Sequence, residues 1–278
     1  MISEKLTGLQ NILRSLQRVA VAYSGGTDSS LLLKVAHDVL GEGAIGITAV
    51  SASLAAEELS EAEAIARQIG ARHVLVDSHE TSDPRYLENT PQRCYFCKTE
   101  VYGELRRYAD QLGYPVVVDG TNADDVNDHR PGRQAAREWG VRSPLLEAGL
   151  TKEDIRQLAH MLGLPNWDKP AAACLSSRIP YGTMIDLEML AQVEQAEQSL
   201  HRLGFGQLRV RHHERVARIE VEVQDFPQVL AHREEIVQAV QAAGYLYATL
   251  DLAGFRSGSL NEVLRKPHGS REAAPTSG

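Results

Sequence analysis

The sequence lacks the marks of a membrane-spanning or exported chain. No apolar run approaches the ~18 residues of a transmembrane helix, and the opening MISEKLTGLQNILRSLQ has no apolar signal-peptide core. A cytoplasmic location is the expectation. The sequence also lacks a basic excess: 29 Lys and Arg stand against 37 Asp and Glu, giving a net charge of −8. A broad polyanion-binding surface needs clustered cations, so nucleic acid is not an expected partner, nor is a membrane. Cysteine is scarce. Cys94, Cys97 and Cys174 are three in number, which fits poorly with a secreted disulfide framework and better with metal or redox chemistry in a reducing compartment. No internal repeat is visible. With 278 residues, 43% of them apolar, the chain can bury one large core plus that of a small satellite domain.

Hydrophobic spacing supplies the organisation. Leu6, Leu9, Ile12, Leu13 and Leu16 recur at helical intervals and feed the β-rich run RVAVAY at 18–23. An apolar helix over 28–40, the strand AIGITAVSA at 44–52, a helix over about 54–69 and the strand HVLVDS at 73–78 continue the alternation. This is the pattern of βαβ units around a parallel sheet buried on both faces, an α/β fold. Helices are expected over 95–112 and 151–164, the latter capped by Thr151, with PVVVDGTN as a strand and loop between them. DKPAAACLSSRIPYGT reads as a boundary loop. Beyond it an amphipathic helix, two alternating strands (QLRVRHH, VARIEVEV), a helix over 228–243 and the segment YLYATLDL predict a smaller α+β domain. The expected domains are 1–180 and 181–260, with a disordered tail from 261.

SGGTDSS lies between the first strand and a helix, where small residues let backbone N–H groups approach an anion. It lacks the Gly-Lys-Ser/Thr of a Walker A loop and the GxGxxG spacing of a dinucleotide fingerprint. Asp28 in such a loop makes sense if Mg²⁺ bridges it to a pyrophosphate, the alternative being a helix N-cap. Strand, complete SGGxDS and helix together resemble the PP-loop of the ATP pyrophosphatase superfamily. That resemblance implies ATP as substrate, cradled by Ser24, Gly25, Gly26, Asp28 and Ser29. It also brings Ala49, Ser51, Gly120, Thr121 and Asp124 near the nucleotide, in keeping with ligand binding at the carboxyl ends of parallel strands. Asp124 and Asp125 read equally as solvated loop acids.

PQRCYFCK holds a Cys-x-x-Cys pair without a second such pair to close a zinc site. Three thiolates with an open fourth position suit a [4Fe–4S] cluster. A redox pair, a zinc site completed by histidine, or incidental thiols are the alternatives, and Cys174 alone could be a small buried residue. Taken together, the SGGTDS loop, GTNADD, RCYFCK and AAACLSSRIPYG resemble the LarE family of ATP-dependent sulfur transferases, over nearly the whole chain to about residue 260. The resemblance implies adenylation of a carboxylate of pyridinium biscarboxylic acid mononucleotide, a small-molecule nucleotide substrate, followed by displacement of AMP by sulfur. With all three cysteines present, it implies a [4Fe–4S] cluster on Cys94, Cys97 and Cys174 that passes on sulfide from a sulfur donor. In another branch the residue matching Cys174 is itself consumed. Arg209 and Arg211, which alternate along one strand face, would hold the substrate phosphate. Glu197 and Glu220 would stand beside the active site, with a second metal as one role, and Arg178 would steady an anionic intermediate or pair with an acid. A homo-oligomer such as a hexamer also follows from the resemblance alone. A tRNA thiolase, an ammonia-dependent ligase and a non-catalytic nucleotide-binding regulator are the competing readings.

Overall fold

The computed structural model describes residues 2–127, 131–170 and 173–264, and the chain divides into two compact units, Met1–Glu194 and Gln195–Gly278. In the first unit the elements run α1 (Ile2–Leu16), β1 (Val19–Ala22), α2 (Thr27–Leu40), β2 (Ala44–Val50), α3 (Ala56–Ile69) and β3 (Arg72–Asp77). They continue with α4 (Pro84–Leu87), α5 (Arg93–Gln111), β4 (Val116–Val118), α6 (Pro131–Glu138), α7 (Pro144–Glu147) and α8 (Lys152–Met161). The four strands form a parallel sheet in the order β3-β2-β1-β4. Because β1 lies between β2 and β4, the chain leaves it first toward one edge and later returns on its other side. The carboxyl ends of β1 and β4 therefore flank a topological switch point, where open α/β sheets bind ligands.

Helices cover both faces of this sheet. Leu9 and Leu13 of α1, Leu31–Leu33 of α2, Ile65 of α3 and Ile155 and Leu158 of α8 pack with Val19 and Val21 on one side. Leu105 and Ala109 of α5, with Tyr114, pack with Ala20, Ile45, Ile47 and Val117 on the other. The expectation of strands buried throughout holds for β1 and most of β2 but not for β3, whose Leu75 is 44% exposed. It is an edge strand, and Arg72, His73 and Asp77 supply the polarity that discourages pairing with another chain. A third cluster, Tyr86, Leu175, Ile179, Ile185, Leu190 and Val193, seats the segment that follows Cys174.

Helix α9 (Leu187–Arg202) runs through the division between the units. Beyond it the second unit carries β5 (Leu208–His213), β6 (Val216–Val221), α10 (Phe226–Ala231), α11 (Arg233–Ala242) and β7 (Tyr247–Leu250). The hairpin β5-β6 is antiparallel and β7 adds to β6 in parallel, giving a mixed sheet. The helix expected over 228–243 is two helices that meet at His232, which leaves helical geometry (φ −99°, ψ 21°). A 3₁₀ turn, Ser259–Leu264, follows, so part of the expected tail is ordered, and 265–278 lie outside the described residues.

Candidate active site

The loop after β1 is shaped by close packing. Gly25 has φ +71°, and a Cβ there would stand 2.6 Å from Ala62 Cβ and 2.9 Å from Ala62 Cα on α3. Only glycine meets both demands. Gly26 is the N-cap of α2 in extended geometry and offers no side-chain cap, which leaves the first N–H groups of that helix turned toward the switch point. Ser29 Oγ donates to the Gly26 carbonyl at 3.1 Å, accepts from Ser24 N at 3.3 Å and lies 3.2 Å from Ser24 Oγ. Across the cleft, Gly120 follows β4, and a Cβ there would meet Ser29 N at 3.1 Å and Asp28 Cβ at 3.2 Å. The loops after β1 and β4 thus touch.

Asp28, partly exposed, makes no side-chain cap to α2 and is instead paired across the cleft. Its Oδ2 accepts from Lys152 Nζ at 2.9 Å and from Asn122 Nδ2 at 3.4 Å. Thr121 is held by Asp119 through both its N–H (3.1 Å) and its hydroxyl (3.0 Å). Asp124 accepts from Lys152 N at 2.7 Å, so it caps the first turn of α8. The loop is propped from behind by Asn166, which is buried. Its amide donates to Gly25 O (2.8 Å) and Ser30 Oγ (3.0 Å), while Thr27 Oγ1 donates to its carbonyl (2.7 Å).

A second constellation extends from the end of β2. Ala49 is the penultimate residue of that strand, and Ser51 follows it. The carboxylate of Glu80, 1% exposed, accepts from Ser51 Oγ, from Ser53 Oγ at 2.8 Å and from Ser78 Oγ at 2.6 Å. Ser53 O in turn accepts from Leu175 N at 2.9 Å, which fastens the residue after Cys174 to the end of β2. Cys94 and Cys97 lie in the first turns of α5, with Cys94 and Cys174 exposed and Cys97 partly buried. The Cys97 thiol is pushed well above its usual range by burial, against the pull of Lys98; Cys174, Glu80 and Cys94 add to the rise. Burial and then Cys174 likewise raise Tyr86, whose hydroxyl bonds Ser176 Oγ. The start of α5 and the segment after Cys174 are joined by the hydrogen bond from Arg93 to Ser176 O at 2.8 Å and by the packing of Cys97 against the cluster that holds Leu175. Among the described residues no three His, Cys, Asp or Glu side chains are grouped closely enough to hold a single metal ion.

Arg178 is buried and donates to Ala173 O (2.5 Å), Cys174 O (3.0 Å) and Ser177 Oγ (3.1 Å), so it fixes the backbone that presents the thiol. In the second unit Arg211 is also buried and donates to Glu220 Oε2 (2.9 Å) and Ser259 Oγ (2.7 Å). Arg209 keeps partial exposure, with its guanidinium over the Phe255 ring. Glu197 accepts from Val210 N at 2.8 Å and closes an edge N–H of β5. Glu220, with no solvent exposure, also accepts from Arg218 at 3.0 Å. Sequence reasoning did not single out Lys152, Asn122, Asp119, Glu80, Asn166 or Arg93 as site residues.

The parallel sheet and the glycine-built turn at its switch point are those of a PP-loop protein of the α/β class, and by class it is an ATP-dependent sulfurtransferase. No family model matches the chain. It is 41% identical, over 95% of its length and 96% of the relative's, to pyridinium-3,5-bisthiocarboxylic acid mononucleotide synthase of Lactiplantibacillus plantarum. The chain belongs to this family, the LarE family. It is also 51% identical to an uncharacterized protein of Synechocystis over 96% of this chain and 100% of that one. A tRNA-specific 2-thiouridylase MnmA of Rickettsia conorii is 27% identical over 59% of this chain and 54% of its own. Among the described residues no helix is long and apolar enough to cross a membrane.

Proposed function

We propose that this protein converts a carboxylate of a pyridinium biscarboxylic acid mononucleotide to a thiocarboxylate at the expense of ATP. The observation that carries the reading is the junction of the two constellations. The phosphate turn follows β1, and the Cys174 segment is fastened at the end of the adjacent β2 through Leu175, Ser53 and Glu80. In the first step a substrate carboxylate oxygen attacks the α-phosphorus of ATP, the bond to the bridging oxygen breaks and pyrophosphate leaves. In the second, sulfur at the sulfide level forms the C–S bond, the acyl C–O bond breaks, AMP departs and the sulfur's proton goes to solvent. AMP is needed because oxide is a poor leaving group.

This chain's residues divide the work. The N–H groups at the start of α2, with Ser24 and Ser29, bind the departing pyrophosphate, while Lys152 is the cation at hand. Mg²⁺, when bound at Asp28, would neutralise pyrophosphate charge. Ser51 and Ala49 border the nucleoside, and Thr121 is fixed in place by Asp119. Three cysteines on two segments linked through Arg93 and Ser176 supply the thiolate donors that an iron–sulfur cluster takes. A [4Fe–4S] cluster on Cys94, Cys97 and Cys174 would supply sulfide. Arg178 orients the Cys174 turn. The substrate phosphate goes to Arg209 and Arg211, the latter oriented by Glu220 and Ser259. A cytoplasmic homo-oligomer, with the second unit serving substrate and assembly, completes the reading.

The test is to separate the two half-reactions. With ATP, substrate and a sulfide source under anaerobic conditions, Cys174→Ala should release pyrophosphate yet yield no thiocarboxylate, and wild-type protein should carry iron and sulfide in about cubane proportion. Thiocarboxylate formation by Cys174→Ala at the wild-type rate would refute the reading.

A further inference from the structure

At the carboxyl end of β2 a buried acid is spent entirely on hydroxyl groups. Glu80 is 1% exposed, and among the described residues no cation pairs with it; its carboxylate accepts from Ser51 Oγ, from Ser53 Oγ at 2.8 Å and from Ser78 Oγ at 2.6 Å. Ser53 and Ser78 are buried with it, whereas Ser51 keeps partial exposure and is the one of the three that a ligand can reach. Ala22 of β1 lies beside Ile47 of β2, so Ser51 stands only a few residues beyond the level of the phosphate turn, one strand over. A hydroxyl has one proton to give and two lone pairs to offer. The Ser51 proton goes to Glu80 or to Ser53 Oγ, 3.0 Å away, and in either case it stays inside the cluster. One lone pair accepts from Ser53 N at 3.2 Å. What remains for a ligand is a lone pair and never a proton.

We propose that Ser51, its hydroxyl held by Glu80, is a specificity-determining acceptor for the exocyclic amine of adenine and selects a 6-amino purine nucleotide over a 6-keto one. The inference rests on the ATP-binding reading of the phosphate turn and deepens it. The base is the group discriminated, because a ribose hydroxyl both donates and accepts and would meet a serine of either polarity. An amine only donates and a keto oxygen only accepts, so the keto oxygen would face a lone pair that cannot turn away. Fixed polarity also gives a buried carboxylate without a cation a use at this strand end.

The experiment measures equilibrium binding of ATP and of inosine triphosphate, its 6-keto analogue, to the full chain by calorimetry without the second substrate. Wild-type protein should bind ATP on the order of 30-fold more tightly. Ser51→Ala should cut that ratio by about tenfold. Glu80→Met should cut it similarly, since Ser51 stays in place but its proton is freed to meet a keto oxygen. Glu80→Gln, whose carbonyl can still accept from Ser51 while its amide donates to Ser78, should keep most of the ratio. Equal wild-type affinity for the two nucleotides would overturn the proposal, as would the wild-type ratio in Ser51→Ala or in Glu80→Met. If Glu80→Met does not fold, Ser51→Ala carries the test, because it trims a partly exposed side chain. The 2′- and 3′-deoxy forms of ATP should lose the same factor in wild type and in Ser51→Ala; a penalty that vanishes with the Ser51 hydroxyl would put that hydroxyl on the sugar and overturn the assignment. Failure of wild type to bind either nucleotide would defeat the ATP reading and this one together. Equal binding with thiocarboxylate formation intact removes only the role of Ser51. Discrimination without thiocarboxylate formation removes the sulfur-transfer reading and leaves the base selection standing.

Discussion

Single residues at the phosphate turn carry opposing demands, and two substitutions expose them. Gly25→Ala places a methyl group into Ala62 on α3 while keeping a left-handed backbone. Strain and overpacking together should cost about 2 kcal/mol or more, and pyrophosphate release should fall with it. Adding Ala62→Gly should restore only part of the melting temperature, since the Ala62 Cα still lies 2.9 Å from the new Cβ. A Gly25→Ala protein that melts with wild type would contradict this account of the turn. Lys152→Met acts through charge instead. The Asp28–Lys152 pair is 26% and 41% exposed at its two side chains, so its loss should change stability by less than about 1 kcal/mol. Because Lys152 competes with any divalent ion for the same carboxylate oxygen, the variant without nucleotide should bind Mn²⁺ several-fold more tightly, read by electron paramagnetic resonance. Pyrophosphate release should nevertheless be slower. Unchanged Mn²⁺ affinity would show that Asp28 is not where the ion binds.

At the level of elements, helix α8 begins with a reciprocal cap. Thr151 Oγ1 accepts from Asp154 N, and Asp154 accepts from Thr151 N at 2.9 Å. Lys5 on α1 donates to the same carboxylate, and this bond, followed by that from the Thr151 backbone, holds Asp154 down to about 2. The folded pKa lies below the unfolded value, so the contribution is complete above about 4 and is lost as pH falls toward about 2. Asp154→Asn should therefore lower stability by about 1 kcal/mol at neutral pH, and denaturant titrations should show its deficit disappearing between pH 4 and pH 2. A deficit that persists at pH 2 would assign the effect to packing. Such caps are legible in sequence because Thr151 and Asp154 are neighbours along the chain, as are the glycines of the phosphate turn and the alternation of the first strands and helices. The status of β3 as a sheet edge was not legible, since strand order is set by distant packing, nor was the break at His232, where no proline or glycine interrupts the helical spacing. The same reason hid Lys152, Glu80 and Asn166. Each meets its site partner from another part of the chain, and a lone Lys, Glu or Asn has no local pattern.

For the whole molecule, each unit has its own core, and the division falls inside α9 rather than in the proline-containing loop before it. The reason is that the first half of α9 packs under the segment that follows Cys174. Leu190 and Val193, with Ile185, pack on Tyr86, Leu175 and Ile179, and Glu194 accepts from Ala56 N at 2.7 Å at the start of α3. A fragment ending at residue 180 would forfeit three buried aliphatic side chains, each worth ~1.5–3 kcal/mol as an upper bound, a sum comparable to the entire stability of a typical domain. A fragment ending at residue 194 keeps them. The 1–194 fragment should unfold cooperatively and bind ATP, whereas the 1–180 fragment should melt at a much lower temperature and let iodoacetamide reach Cys97, which the intact chain partly buries. Equal melting of the two fragments would mean that α9 does not support the loop bearing Cys174, and that the thiols are held by the links from Arg93, Asn89 and Ser53 alone.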